Sequence, residues 1–358
     1  MFEFFTGGGC PESVPMCGLG MEALGMLWAV LQDFRDWGRV RTVAALDPRF
    51  ENRIPGLDIS TLPADEVVCA TPGKHEETYL SLLERCDAVL LIAPETDGIL
   101  STLAERAEAR RKSLLGCSSL AAATAGDKAV CSRLFNLAGL PTPETQTSDI
   151  ESAAKTAARI GCPLVVKPLD GVGAEGVCQI NRLSDLPEAL VHLRHCTSQE
   201  QILVQSMAVG FHASVSLLIG GGRCLPISLN LQLIEPGSRF KYRGSQVPFD
   251  HPNRDRAMRL AALAAGLIPG LKGYVGVDMV LGADLIQLIE INPRLTTSYI
   301  GLRQVTSMNL AQAIWECCQD GKLPDRVPLE GKVAIEKDNP STWNLLIRGK
   351  RDLRLSGK

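Results

Sequence analysis

The residues best equipped for chemistry sit where an apolar run ends. In DLIQLIEINPRLTTSYIGLR, residues 284–303, Glu290, Asn292 and Arg294 occur at every second position, and the hydroxyls of Thr296, Thr297, Ser298 and Tyr299 follow. Strand side chains alternate between faces, so Glu290 and Asn292 share one. Upstream, GYVGVDMVLGAD carries Asp278. If the Gly-Ala-Asp turn sets Asp278 opposite Glu290, three oxygen-bearing groups converge, while Val277, Met279, Leu281, Ile289 and Ile291 turn toward a core. Two carboxylates and an amide oxygen form a hard, incomplete ligand set. It suits Mg²⁺, with Mn²⁺ as a substitute, keeping water and phosphate oxygens in the remaining positions. The plain alternative is a strand end that reaches solvent.

Lys167 lies in the apolar segment VVKP, where a lone ammonium is costly without an anionic partner. Directly after it, Asp170-Gly171-Val172-Gly173-Ala174-Glu175-Gly176 lets the backbone approach a ligand closely and turn N–H groups toward phosphate oxygens. GxxxxGK[ST] is absent and the lysine precedes the glycines, so this is not a Walker A loop; a plain hairpin would also use these glycines. Asp127-Lys128 opens a helix, with the aspartate free to cap it and the lysine left available.

The elements that must position these groups follow from apolar spacing and turn residues. FEFF runs into Thr6-Gly7-Gly8-Gly9, and Leu24, Leu27, Trp28, Leu31 and Phe34 mark one face of a helix over about 20–36. Segments 40–47, 65–70 and 86–95 read as strands alternating with helices near 75–85 and 99–112, which predicts a parallel sheet. TGGG lacks the GxGxxG spacing of a dinucleotide fold, so a tight turn is the better reading. From about 116 come helices near 127–138, 150–160 and 253–265, several strands between 162 and 234, and the two strands bearing Asp278 and Glu290. After Gly331, seven Lys or Arg accompany three acidic residues, which suggests a basic peripheral tail.

With 358 residues, the chain can form two or three compact units. Apolar residues make up 45% and charged residues 22%, an ordinary globular balance. A net charge of -3 argues against general nucleic-acid binding, which needs clustered cations. Twelve cysteines without a CxxC pair read as free thiols in a reducing compartment. Neither a signal peptide nor a long apolar span is evident, so a cytoplasmic protein without membrane or nucleic-acid partners is expected.

The order of lysine at a helix start, strand lysine, glycine loop and acid pair with Asn-Pro-Arg resembles the ATP-grasp superfamily over roughly 116–320. FEFFTGGG, GLGMEALGMLWAVLQDF, LLIAPETDGIL and GYVGVDMVLGADLIQLIEINPRLTTSYIGLR together are similar to its tyramine-glutamate ligase branch, which serves methanofuran biosynthesis in one-carbon metabolism. The resemblance implies α/β and α+β architecture. A Rossmann-like pre-ATP-grasp domain (1–115) would precede a two-lobed ATP-grasp fold (116–322, lobes about 116–202 and 203–322), with 323–358 as the tail.

It also implies roles. Lys128 and Lys167 would contact ATP phosphates, and Gly171, Gly173, Ala174 and Gly176 would belong to a closing lid. Gln205, Ser206, Met207 and His212 would form the adenine and ribose hinge, although Ser206 and His212 replace glutamates usual in the family. Backbone groups of Gln205 and Met207 would still read adenine. Asp278, Glu290 and Asn292 would bind Mg²⁺, while Arg294, with Lys167, would serve phosphoryl transfer.

The implied activity is ADP-forming ligation of a carboxylate and an amine through an acyl phosphate, with glutamate and tyramine as candidates. A dipeptide or other amino-acid ligase and an ATP-binding regulatory protein without turnover are the alternatives. For the carboxylate substrate, Arg239, Lys241 and Arg243 supply positive charge in a Gly- and Pro-marked segment, with Arg243 suited to bidentate binding. Thr296 to Tyr299 would shape the pocket, while Glu95 and Asp97 read first as turn residues. Pairwise assembly is common among related ligases, which makes a homodimer the expected state.

Overall fold

The computed structural model describes residues 1–13, 18–53, 62–235, 237–338, 344–348 and 353–356. Its first region contains strands β1 (Phe2–Glu3), β2 (Val43–Leu46), β3 (Glu66–Cys69), β4 (Ala88–Val89), β5 (Leu91–Ile92) and β6 (Ser113–Leu114). They pair in parallel as β1 with β5, β2 with β3, and β4 with β6. Helices α1 (Gly18–Trp37), α2 (His75–Leu83) and α3 (Ile99–Ala109) alternate with them, as parallel strands require. The TGGG segment is a tight helical turn over Phe5–Gly9, with Gly8 at φ 92°.

Helices α4 (Ser119–Gly126) and α5 (Lys128–Leu137) lead into a four-stranded sheet. Its strands are β7 (Thr145–Asp149), β8 (Leu164–Pro168), β9 (Cys178–Ile180) and β10 (Gln201–Ser206), in the order β7-β10-β8-β9. Helices α6 (Ala153–Ile160) and α7 (Leu186–Cys196) cover it, with Ala157, Leu186 and Leu193 packed against Val166, Ile180 and Val204.

The larger sheet contains β11 (Phe211–Gly220), β12 (Arg223–Glu235), β13 (Lys241–Val247), β14 (Gly273–Leu281), β15 (Ile286–Asn292), β16 (Val333–Asp338), β17 (Asn344–Arg348) and β18 (Leu353–Ser356). All of its neighbours are antiparallel, in the order β15-β14-β11-β12-β13-β16-β17-β18. Helices α8 (Arg254–Gly266), α9 (Ser298–Val305) and α10 (Leu310–Gln319) complete the chain.

Helix α1 is rich in Ala, Leu and Met, which lose little side-chain freedom in a helix. It ends where Gly38, at φ 64°, donates its N–H to Phe34. Its apolar face, Leu24, Leu27, Leu31 and Phe34, joins Tyr299, Leu302 and Ile314 in one core. Asp33 reinforces this junction by accepting the Tyr299 hydroxyl at 2.5 Å and Arg303 Nε at 2.9 Å. The first region is thereby fastened to the last helices, far away in sequence.

The C-terminal segment departs from a peripheral tail. β16 pairs with β13, with Val247 opposite Val333 and Ser245 opposite Ile335, and both Val333 and Ile335 are buried. Two apolar side chains carry that signal, and the surrounding charges conceal it. Residues 339–343, 349–352 and 357–358 of this segment lie outside the described residues.

Candidate active site

A cleft of about 210 Å³ opens between the two sheets, lined by residues of both and by Glu22 from α1. One end is built by the β14–β15 hairpin. Asp278 lies opposite Glu290 and Gly276 opposite Asn292, the register that brings the three oxygen donors together. The register shifts between Asp278 and Met279, so Leu288, not Ile289, faces Met279. Leu288 is fully buried, whereas Ile289 lines the cleft with Glu290. The expectation that Ile289 points to the core is corrected by this bulge, which inserts a residue and breaks strict alternation.

The two carboxylates behave differently. Burial, and then the charge of Glu290, pushes Asp278 up to about 7. Burial also raises Glu290, but the Lys128 and Lys167 charges and a hydrogen bond from Lys128 outweigh it and hold Glu290 below its usual range. Lys128 Nζ stands 3.2 Å from Glu290 Oε2. Burial pulls the Lys167 ammonium down to about 8, despite the opposing charge of Glu290. Both lysines are buried, at 8% and 4% exposure, inside the cleft as expected.

Asp127 caps α5 by accepting the N–H groups of Ala129 and Val130 at 2.8 and 3.0 Å, which sets Lys128 at the helix start. Lys128 also donates to the Gly171 carbonyl at 2.6 Å. Gly171, Gly173 and Ala174 of the loop line the cleft; Gly176 does not, but turns the chain back toward β9. Gly176 has φ 71°, and a Cβ there would stand 2.9 Å from the Pro168 ring, so only glycine fits. The loop base is anchored on the first region. Asp170 accepts from Asp97 N at 2.8 Å and Gln199 Nε2 at 2.7 Å, and Thr96 donates to its carbonyl at 3.1 Å.

At the hinge, Gln205, Ser206, Met207 and His212 all line the cleft. The Met207 N–H donates to Pro163 at 3.1 Å and the Ser206 N–H to Glu144 at 2.8 Å. Those donors are engaged, so of the backbone groups expected to read adenine the Met207 N–H already has a partner. Gln205 Nε2 donates to Thr145 Oγ1 at 2.7 Å. His212 stands edge-on to Phe240 with ring centroids 5.5 Å apart, and burial lowers its pKa, favouring the neutral ring.

Arg294 forms two 2.9 Å hydrogen bonds to both carboxylate oxygens of Glu95, which is buried. Burial opposes the guanidinium charge, but the charge and hydrogen bonds of Glu95, with the charges of Glu290 and Asp278, together outweigh it and raise Arg294 further. Glu95 is therefore the counter-ion of a site residue, not merely part of a turn. Its signal was weak because the pair joins positions 199 residues apart in sequence.

Arg243 contradicts its expected role. It pairs with Glu235 on the partly exposed outer side of the β12–β13 ribbon and is not among the cleft residues. Arg239 pairs with exposed Glu188 at 3.7 Å. The intervening Phe240 and Tyr242 line the cleft instead. The basic residues occupy one strand face and the aromatics the other, so the charge cluster advertised the wrong face. Gln232, which hydrogen-bonds Asp278, and Glu22 were also missed; neither lies in a recognisable local motif.

Among the described residues, no group of three or more His, Cys, Asp or Glu is arranged as a metal cluster. The donor chemistry nevertheless fits Mg²⁺. Two opposed, partly buried carboxylates raise one another's energy, and a hard cation held by them and Asn292 would relieve that repulsion.

Comparisons agree with this geometry. An ATP-grasp domain profile matches residues 125–298, and a pre-ATP-grasp domain profile matches 40–122. Tyramine–L-glutamate ligase of Methanocaldococcus jannaschii is 33% identical over 265 residues, covering 73% of each chain. D-alanine–D-alanine ligase of Desulforudis audaxviator is 28% identical over 189 residues, covering 49% of this chain and 61% of that one. In fold, an ATP-grasp superfamily protein from Archaeoglobus fulgidus superposes with TM-score 0.67 and 24% identity over 99% of this chain and 96% of its own. Biotin carboxylase from Campylobacter jejuni, solved with an ATP ligand, gives TM-score 0.72 and 17% identity over 87% and 73%. With lysines, glycine loop and acid pair in one cleft and these relatives in sequence, the chain belongs to the ATP-grasp family and is an ADP-forming carbon–nitrogen ligase similar to tyramine–L-glutamate ligase.

Proposed function

We propose that this ligase joins glutamate to tyramine or a related aryl amine, in the manner of methanofuran-type cofactor assembly. The observation that carries the reading is the opposed Asp278–Glu290 pair facing buried Lys128 and Lys167 in one cleft, in a chain with a tyramine–L-glutamate ligase relative. A substrate carboxylate oxygen attacks the γ-phosphorus of ATP, and ADP departs with the electrons of the broken P–O bond. The amine then attacks the acyl carbon, phosphate leaves and the nitrogen loses a proton. The result is one amide, ADP and phosphate.

The protein's part is mainly positioning and charge neutralisation. Lys128 and Lys167 face the phosphates, and Lys167, at about 8, remains largely protonated at neutral pH. Arg294, held by Glu95, presents a fixed guanidinium to the transferred phosphoryl. The loop from Gly171 to Gly176 covers the acyl phosphate and excludes water. Asp278, Glu290 and Asn292 would hold Mg²⁺, or Mn²⁺ in its place, which supplies positive charge against the phosphate oxygens. His212 and Phe240 flank the nucleoside end. A homodimer in solution is part of the same proposal.

The test is ADP and phosphate release with Mg-ATP, glutamate and a panel of amines. ADP formation that depends on tyramine or another aryl amine is expected. ADP formation only with a second amino acid as acceptor favours a dipeptide ligase, which the likeness to D-alanine–D-alanine ligase keeps in view. AMP release, or tight ATP binding without turnover, overturns the reading.

A further inference from the structure

Glu22, which lines the cleft, and Lys337, which is not a lining residue but pairs with Glu22 and sits over the cleft-lining Tyr242, come from the two extremes of the chain. Neither falls within the matched family regions, 40–122 and 125–298, and the ATP chemistry uses neither. Glu22 is 6% exposed yet lines the cleft with Thr297 and Tyr242. Its Oε2 accepts the Thr297 hydroxyl at 2.7 Å. Its Oε1 is ion-paired with Lys337 Nζ but accepts no hydrogen bond of ordinary geometry. The Lys337 ammonium also lies over the Tyr242 ring, 4.9 Å from its centroid, and the Lys337 side chain is 24% exposed. Tyr242 thus connects this pair to the cleft, with its phenol raised by burial and by the Glu22 charge.

We propose that Glu22 and Lys337 are a receptor for the zwitterionic head of an α-amino acid, the ion pair opening so that Glu22 takes the ammonium and Lys337 the carboxylate. The inference rests on the ligase reading and assigns the amino-acid end of its site. The reason is electrical. Insertion of a zwitterion turns one ion pair into two and adds no net charge to the cleft. A substrate with only one of the two charges would open the pair and leave a largely buried ion without a partner, which is strongly unfavourable. An aryl amine, carrying a lone positive charge, is therefore rejected here and must enter by another part of the cleft. Thr297 keeps Glu22 oriented, and the Tyr242 ring supports the Lys337 ammonium when Glu22 turns to substrate.

Calorimetry in the presence of Mg²⁺ and a non-hydrolysable ATP analogue tests this with three probes: glutamate, glutarate, which lacks the ammonium, and 4-aminobutyrate, which lacks the α-carboxylate. The wild-type protein should bind glutamate on the order of 30-fold or more tightly than either analogue, the effect expected when one buried charge loses its partner. Lys337→Met should weaken glutamate by a similar factor and tighten 4-aminobutyrate, whose ammonium then meets Glu22 without orphaning a lysine. Glu22→Gln, which keeps an acceptor for Thr297, should weaken glutamate and tighten glutarate, whose carboxylate then meets Lys337 without orphaning an acid. The double variant removes both charges, so it folds without an unpaired ion, and it too should lose glutamate. Affinity for the ATP analogue should stay the same throughout. Equal weakening of all three probes, or wild-type glutamate affinity in the variants, overturns the receptor. So does a wild-type protein that does not bind glutamate. ADP formation with variant-insensitive glutamate affinity leaves the ligase standing without the receptor; charge-specific glutamate binding without any ADP keeps the receptor and removes the ligase.

Discussion

The two ends of the cleft solve the problem of buried charge differently. At the phosphate end, one hairpin places two carboxylates face to face, and two lysines from another lobe confront them. The charges there are mismatched until ligands arrive: Asp278 is pushed up to about 7 while Lys167 is pulled down to about 8. At the Glu22–Lys337 end, a single acid and a single base already neutralise one another. A site that must hold a highly charged nucleotide can carry unresolved charge, whereas a site for a neutral zwitterion is best kept neutral.

The phosphate end is where substitution should have its largest effect. Glu290→Gln removes the proposed metal ligand and the ion-pair partner of Lys128, and should reduce kcat ~1000-fold or more, as expected for the loss of preorganised charge at a reacting centre. ATP-dependent turnover measures it, with an unchanged melting profile as the folding control. Wild-type activity in that variant would erase the contrast between the ends.

A smaller effect, on stability, is expected where the first region meets the cleft. Glu95→Gln leaves the largely buried Arg294 guanidinium, 13% exposed, without its anion and should destabilise the fold by about 3 kcal/mol, read from denaturant unfolding. Glu95→Asp should recover part of the loss if pairing, not size, is responsible.

Glu3 sharpens the contrast from the other direction, as a buried carboxylate with no ion-pair partner among the described residues. Burial pushes it up to about 7 from 4.5, against the hydrogen bond it accepts from Thr6 N at 2.7 Å. The folded state therefore binds more protons than the unfolded state between those values, and stability falls as pH rises from about 4.5 to 7. Relative to Glu3→Gln, the wild-type protein should lose about 3 kcal/mol across that window. Parallel stability curves for the two proteins would show that Glu3 does not titrate in this way.

Arg243→Ala should have the smallest effect. Its ion pair with Glu235 is at the surface, so stability should change by less than about 1 kcal/mol and the KM for each substrate should be unaltered. A raised KM for the carboxylate substrate alone would restore Arg243 to the site and shift attention away from Glu22 and Lys337.

The same division governs what could be read from the chain. Period-two spacing placed Glu290 and Asn292 on one face, a local relation; Asp278 meets Glu290 only through the bulge that shifts the register set at the turn. Lys128 at a capped helix start and Lys167 in an apolar strand were legible for the same reason. Ile289 was misread because a bulge changes parity without leaving a mark in composition. Arg243 was misread because a charge cluster is conspicuous, while the alternation that turns Phe240 and Tyr242 inward is quiet. Glu95, Glu22 and Lys337 carry no local signal at all, since each acquires its meaning from a partner nearly 200 or more residues away.

By itself, then, the sequence determined the shared face of Glu290 and Asn292, the capped lysine, the glycine loop and the kind of ion they suit, because short-range geometry decides which side chains share a face. Only the tertiary structure decided that Arg294 leans on Glu95, that Met207 has no N–H to spare, and that Glu22 meets Lys337. Those contacts depend on how α1 packs against α9 and α10 and on where β16 joins the sheet. Such packing sums many weak apolar contacts over the whole chain, and no single residue's type or spacing encodes it.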